Sequence, residues 1–538
     1  GRRLPTLHII FRAVKDVAVP VTSGIAIIVI VFLPLLTLQG LEGKLFGPVT
    51  LTIVFALAGS LILSFTIIPV VASYVVKASH GEPWLSRKLS ALYRPTLDFT
   101  LRRPVPLFVF AGLLLVSSAL VFPRVGKTFM PTMDEGDIII QLESIPSINL
   151  ETSARLVQQV EKVLMAEVPE ITRIVSRTGS DELGLDPMGL NETDMFLQLK
   201  PASEWRGSKE ELELNLREVM DRFPGINYGF TQPIDMRVSE MLTGSRGDVA
   251  IKVFGPELST LNTVTQQIAT LLEKVAGSTD TIATVNEGAQ YLQVDVDRVA
   301  AGRAGLDGDD LQARLRAEIE GVQVGSVVER AARVPLVVRF PKRVGDALEE
   351  LNNSFIELPS GGVMPLSSLA HLRRVDGPVV ISREGGQRFA VVRTNVEGRD
   401  LVGYVEEAKA VLSRELTLPD GYTLQWGGQF ENQQRAAARL ALVVPVALAM
   451  IALLLFMTFG SVKQTLVILS NIPFALTGGL LALWITDEFL SVPASVGFIA
   501  LLGIAVLNGV VMMSHFNYLQ AKGLEMARVV REGAVRRL

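Results

Sequence analysis

The chain has 538 residues, a formal net charge of −4 and no cysteine. Disulfides, thiolate metal sites and cysteine nucleophiles are excluded, and so small a charge points to no nucleic-acid partner. The four histidines, His8, His80, His371 and His515, form no ligand-like pair, which argues against an imidazole zinc site.

Six long stretches contain no Asp, Glu, Lys or Arg: 17–41, 45–76 and 104–123, then 440–462, 464–486 and 489–521. Each reaches the roughly 20 apolar residues that a helix needs to cross a bilayer. They predict a polytopic α-helical membrane protein with transmembrane helices at 17–41, 45–76, 104–123, 440–462, 464–486 and 489–515, and a large extramembrane region between the two sets of three. Basic residues gather in alternate loops. Arg2, Arg3, Arg12 and Lys15 precede the first span. Lys77, Arg87, Lys88, Arg94, Arg102 and Arg103 lie between the second and third. Lys463 separates the fourth and fifth, and Lys522, Arg528, Arg531, Arg536 and Arg537 follow the sixth. Positive residues stay on the cytoplasmic side. That puts residues 125–438 outside, which in a Gram-negative cell means the periplasm and a protein of the inner membrane. The segment 522–538 reads as the start of a cytoplasmic interfacial amphipathic helix.

The extramembrane block alternates strand and helix patterns. Strand 137–145 is followed by a helix with Leu156, Val157, Val160, Val163, Leu164 and Val168 at helical spacing. Strands 171–177 and 194–199, a charged helix 209–222 and strand 226–231 complete a βαββαβ order, the split-βαβ arrangement. A second copy begins with strand 248–254, a helix burying Leu261, Val264, Ile268, Leu271, Leu272 and Val275, and strand 281–285. Its other half, strand 388–396, helix 401–416 and strand 423–426, comes only after an α+β insert with strands 292–296, 322–328 and 336–340. The expected fold is therefore six transmembrane helices (3+3) flanking two ferredoxin-like units, the second split by an inserted domain. The domains are 1–124, 125–245, 246–289 with 385–436, 290–384, 437–521 and 522–538.

Several motifs add a family likeness. FLPLLTLQGLEGKLFG (32–47), FMPTMDEGD (129–137), DPMGL (186–190), QPIDMRVSEMLTG (232–244), GGQFE (427–431) and GIAVLNGVVM (503–512) resemble the heavy-metal efflux branch of the resistance–nodulation–division (RND) transporters, most of all its cobalt–zinc–cadmium pumps. The resemblance implies that the spans are the family's fifth to tenth. It also implies that the two ferredoxin-like units are porter subdomains and that the insert is a docking subdomain. Copper- and silver-exporting members carry three Met at the porter site, since soft thioethers select soft ions. Carried over by motif spacing, those positions are Gln141, Glu192 and Glu240 here, oxygen ligands suited to divalent zinc, cobalt, nickel or cadmium. Asp186, Asp194 and Asp235 are possible further ligands, and Asn508 and His515 a possible intramembrane polar network.

The family likeness implies a proton-driven cation antiporter rather than an enzyme. It implies a homotrimer embedded in membrane lipid and joined to a periplasmic adaptor and an outer-membrane channel. The divalent cation is substrate, and no tightly bound cofactor is expected. The charge-free spans hold no carboxylate, and the family's acidic relay belongs upstream of Gly1, so the chain reads as part of a longer polypeptide. Two readings stay open beside it: a cuprous or silver exporter using Met188, Met195 or Met241, and a non-transporting membrane-anchored fragment. A drug exporter is disfavoured by only four Trp and seven Tyr, and an ATPase by the lack of a phosphate loop.

Overall fold

The computed structural model of the chain describes residues 6–75, 84–131, 135–180, 188–237, 247–329, 332–339 and 348–536. Six helices among them are long and apolar enough to cross a membrane: Ala18–Thr37, Glu42–Val75, Pro104–Arg124, Gln429–Phe459, Val462–Ile485 and Val492–Ala521. The first ends in a 3₁₀ turn, Leu33–Thr37, where Pro34 removes a donor. The fifth is two helices, Val462–Leu469 and Asn471–Ile485. Pro473 has no N–H to give the carbonyl four residues back, which explains the break at Ser470. The first and last spans pack most closely. Ile27, Val31, Leu35, Leu502 and Val506 are buried there with Ile451 and Leu455 of the fourth. Gly503 allows the approach, because a Cβ at that position would lie 3.3 Å from the Cα of Ile28. Small residues bring helix backbones together in this way within membranes. By contrast, helix Gly40–Val75 turns Phe55, Ile62 and Ile68 outward, as a lipid-facing helix does.

The extramembrane strands are β1 (Ile138–Glu143), β2 (Ile171–Thr178), β3 (Glu192–Leu199), β4 (Asn227–Thr231), β5 (Val249–Phe254), β6 (Ser278–Ala283), β7 (Ala289–Val296), β8 (Val322–Glu329), β9 (Ala332–Val338), β10 (Phe355–Glu357), β11 (Val363–Pro365), β12 (Ala370–Gly377), β13 (Ser382–Glu384), β14 (Gln387–Val396) and β15 (Thr423–Gly428). The first sheet has the order β2-β3-β1-β4 with antiparallel neighbours throughout, the order of a split-βαβ unit. Its helices Leu150–Glu167 and Lys209–Met220 begin at Asn149 and Ser208, whose side chains accept a backbone N–H from the first turn. Val157, Val160, Leu164, Leu212 and Leu216 from these helices bury Ile138, Ile140, Leu142, Met195 and Leu197 of the central strands.

The second sheet runs β13-β14-β5-β15, with β6 also paired to β14. Its core gathers Val249, Ile251 and Val253 of β5 under Leu261, Ile268, Tyr404 and Leu412 of helices Leu258–Leu272 and Leu401–Glu415. β7 to β12 form three separate two-stranded ribbons, β7 with β12, β8 with β9 and β10 with β11. Gly428, at φ 84°, ends β15 and starts the fourth span directly, so the glycine pair read as motif GGQFE is a strand-to-span junction.

The helix between the second and third spans was not apparent from the sequence. Trp84–Arg102 occupies a stretch that reads only as a basic loop. It packs beside Met526–Arg536, the helix expected after the last span.

Candidate functional site

Period-two alternation divides β1 between two faces. Ile138, Ile140 and Leu142 go into the core under the helices, which leaves Ile139, Gln141 and Glu143 on the other side. On β3 the core takes Met195, Leu197 and Leu199, leaving Glu192, Asp194 and Phe196 opposite. Register then joins them: Gln141 stands across from Asp194, and Glu143 across from Glu192. Three carboxylates and an amide share one face of the sheet.

The charges on this face are unevenly compensated. Asp194, 0 % exposed, accepts from the Arg177 guanidinium of β2 at 2.7 Å. Glu143, also buried, meets Arg393 of β14 at 3.4 Å, a contact that crosses between the two sheets. Half-buried Glu192 accepts a backbone N–H from Gly189 and has no ion-pair partner among the described residues. Cross-strand neighbours stand about 5 Å apart at Cβ, and like charges so placed repel. A carboxylate facing a carboxylate, with a guanidinium on only one, is a surface that gains from a cation. Among the described residues no three His, Cys, Asp or Glu converge closely enough to hold a metal ion by themselves.

The other residues singled out in the sequence divide differently. Glu240, Asp186 and Met241 lie outside the described residues. Asp235 joins another group, at the base of the fourth span. The Gln429 amide donates to the carboxylates of both Asp235 (3.3 Å) and Asp248 (2.9 Å), and the other Asp248 oxygen accepts the Val396 N–H. Gln232 and Asp235 beyond β4, Val396 of β14 and Gln429 of this span line a cavity of about 140 Å³ here. Desolvation is the main cause of the raised pKa of both acids, and the Glu135 charge adds to the shift at Asp235. Asp248, although not wholly shielded from solvent as a residue, has its carboxyl packed among protein atoms and pushed up to about 7.

Met195 is fully buried in the first core, and Met188 and Met236 are buried as well. Asn508 lines an open intramembrane hollow beside Met512 and Met513, while His515 stacks on Tyr518 at 6.1 Å. The reciprocal amide pair between spans is instead Gln464 with Asn517, at 2.9 and 3.1 Å.

Sequence reasoning missed Glu143. Its signal was present, since a second polar residue two positions after Gln141 in an apolar strand marks one face. Glu42 falls between the charge-free stretches 17–41 and 45–76, yet it sits in the first turn of helix Gly40–Val75 and is buried to 2 % exposure.

Two triads of long apolar helices around a block of two like α+β sheets, with an acidic face on the first, define the class as a polytopic membrane protein with a large extramembrane block. The family model described as the AcrB/AcrD/AcrF family matches residues 2–538. The chain belongs to that RND family, in its heavy-metal efflux branch. It is 38% identical over 550 residues to the cobalt-zinc-cadmium resistance protein CzcA of Cupriavidus metallidurans, covering 100% of this chain and 51% of that protein. It is 35% identical over 543 residues to the nickel and cobalt resistance protein CnrA of the same organism, covering 99% and 50%. A crystal structure of a heavy metal efflux pump superposes with TM-score 0.84 at 32% identity, over 98% of this chain and 53% of the other. The chain thus spans about half the length of the relatives it matches.

Proposed function

We propose that this chain is half of a proton-driven RND exporter that carries divalent heavy-metal cations outward. In this reading the two sheets are porter subdomains facing the periplasm and the ribbon-rich insert is a docking subdomain. The intact pump is a trimer in the inner membrane joined to an adaptor and an outer-membrane channel. The observation that carries the cation assignment is the Glu143–Glu192 pair beside Gln141 and Asp194. Carboxylate and amide oxygens suit zinc, cobalt, nickel or cadmium. The resistances printed in the names of the relatives above are to the same metals. Burial of Met195 inside a hydrophobic core counts against a thioether site for cuprous ion, because a sulfur packed among Val160, Leu164 and Leu216 is filling space.

An incomplete ligand set suits transport, since a closed tetrahedral cage would retain the ion. The test is equilibrium binding of zinc and of cuprous ion to the whole chain in lipid nanodiscs, compared with Glu143→Gln/Glu192→Gln. The expected outcome is zinc binding that weakens by at least about tenfold in the double variant, with cuprous ion bound no more tightly than zinc. Zinc affinity that the double variant leaves unchanged, or a preference for cuprous ion, would sink the divalent reading.

A further inference from the structure

The helix Trp84–Arg102 plays no part in the cation reading, yet its surface is highly ordered by chemistry. Nineteen residues make it about 28 Å long. It is tethered at both ends: the second span ends at Val75, and only Arg103 separates it from the helix that starts at Pro104. A helix so tied has to lie near the plane where its neighbours leave the membrane.

Its inward side is set by packing. Ser90 is buried and Tyr93 and Leu97 are half-buried, while Asp98 is ion-paired to Arg531 of helix Met526–Arg536. The opposite side carries Trp84, Leu92 and Phe99, which are 70%, 73% and 54% exposed and recur at helical spacing. Exposed Lys88 and Arg102 stand on this stripe, with Arg103 just beyond, whereas Arg87 and Arg94 lie toward the Ser90–Asp98 edge. The Lys88 ammonium lies 5.2 Å from the Trp84 ring centre. Asp98 is the helix's single acid, and its charge is already matched by Arg531.

An exposed apolar stripe including an indole, bordered by basic residues and held at the membrane plane, has the chemistry of a surface half-sunk in lipid. The apolar side chains reach the acyl boundary and the cations lie at headgroup level, where a negative surface potential attracts them. We propose that Trp84–Arg102 is a recognition surface for anionic phospholipid headgroups, with Lys88, Arg102 and the adjoining Arg103 as its selective contacts. The ion pair Asp98–Arg531 clasps it to the helix that follows the last span. Lipid charge thereby acts on both triads of spans at once.

The experiment is electron spin resonance of the whole chain in phosphatidylcholine bilayers containing trace spin-labelled phosphatidylglycerol or spin-labelled phosphatidylcholine. It reads the fraction of each label immobilised at the protein. The wild-type chain should favour the anionic label by at least about twofold, and 0.5 M salt, roughly the upper end of useful screening, should reduce that preference. Lys88→Gln/Arg102→Gln/Arg103→Gln, all surface changes, should bring the ratio toward one with an unaltered circular dichroism spectrum. A Trp84→Ala variant should weaken immobilisation of both labels alike. A wild-type ratio of one, or a ratio that the triple variant leaves in place, would overturn the proposal. Zinc binding plays no part in this readout, so either reading can fail without the other.

Discussion

At the residue scale, Asp280 does more to join the two sheets than any residue visible in the sequence. Its backbone is left-handed (φ 50°), a conformation rare outside glycine and tolerated by Asp and Asn. Its side chain is 5% exposed and accepts from both terminal nitrogens of Arg217, from the Phe230 N–H and from the Asn395 amide. Arg217 and Phe230 belong to the first unit and Asn395 to the second, so this carboxylate ties the seam that Glu143 and Arg393 also cross. Removing one partner of a buried pair leaves the other charge uncompensated. Here the loss is partial, because Arg217 is 24% exposed and keeps Glu397 at 3.8 Å, so Asp280→Ala should cost about 1–3 kcal/mol, read as a lowered unfolding midpoint in nanodiscs. Asp280→Asn keeps an acceptor and the tolerance for positive φ, and should lose clearly less. Equal midpoints for wild type and the Ala variant would show that the seam is held elsewhere. The seam was illegible beforehand because its partners come from distant parts of the chain and no local period marks them. The acidic face was half legible. Gln141, Glu192 and Asp194 follow from strand alternation plus motif spacing, whereas register was needed to set Glu143 against Glu192 and to assign Asp235 to another cavity.

At the element scale, the spans and the strands of both sheets follow from their periods, because charge-free length and apolar alternation are direct imprints of lipid and of a buried sheet face. The Trp84–Arg102 helix was hidden. Its core-facing residues include Ser90 and Tyr93, its apolar stripe faces out, and Pro95 reads as a breaker. The crossing of the first and last spans was hidden for another reason: glycine inside a span says nothing about which neighbour it admits. The structure supplies the neighbour. Gly503 faces the backbone of Ile28, and a Cβ at Gly24 would come within 2.1 Å of Leu507 Cδ1. A flexible leucine tip can move aside, whereas a helix backbone can do so only if the crossing opens. Gly503→Leu should therefore destabilise the chain by about 1–3 kcal/mol, and Gly24→Ala by less. Thermal unfolding of both variants in one lipid mixture tests the order. A Gly24→Ala loss exceeding that of Gly503→Leu would mean that the crossing is looser than the contacts imply.

At the scale of the whole molecule, the two sheets and the membrane helices meet where Gln429 bridges Asp235 and Asp248. The junction is short. β15 passes through Gly428 straight into the span Gln429–Phe459, and the Gln429 N–H donates to the Asp248 carbonyl. Any tilt of that span relative to β5 has to alter the geometry around Asp248. Burial gives this acid a pKa of about 7 in place of 3.8, so the folded chain holds a proton that the unfolded chain releases at a lower pH. Below about pH 4 both states are protonated and the stability linked to the group is at its full value. As pH rises from about 4 to 7, the unfolded state ionises first, so the stability contributed by the group is progressively lost, and above about 8 the loss is complete. Asp248→Asn removes this titration. It also sets an amide N–H₂, which cannot accept, against the Gln429 amide or the Val396 N–H, where both oxygens of the protonated acid can accept, so the variant should be less stable than wild type at pH 5. The gap should narrow as pH approaches 8. Unfolding midpoints at pH 5, 6, 7 and 8 for both chains in nanodiscs measure the two slopes. Parallel slopes would place the titration elsewhere. A shallower slope for the variant would identify Asp248 as a group through which proton binding outside the membrane changes the junction with the fourth span.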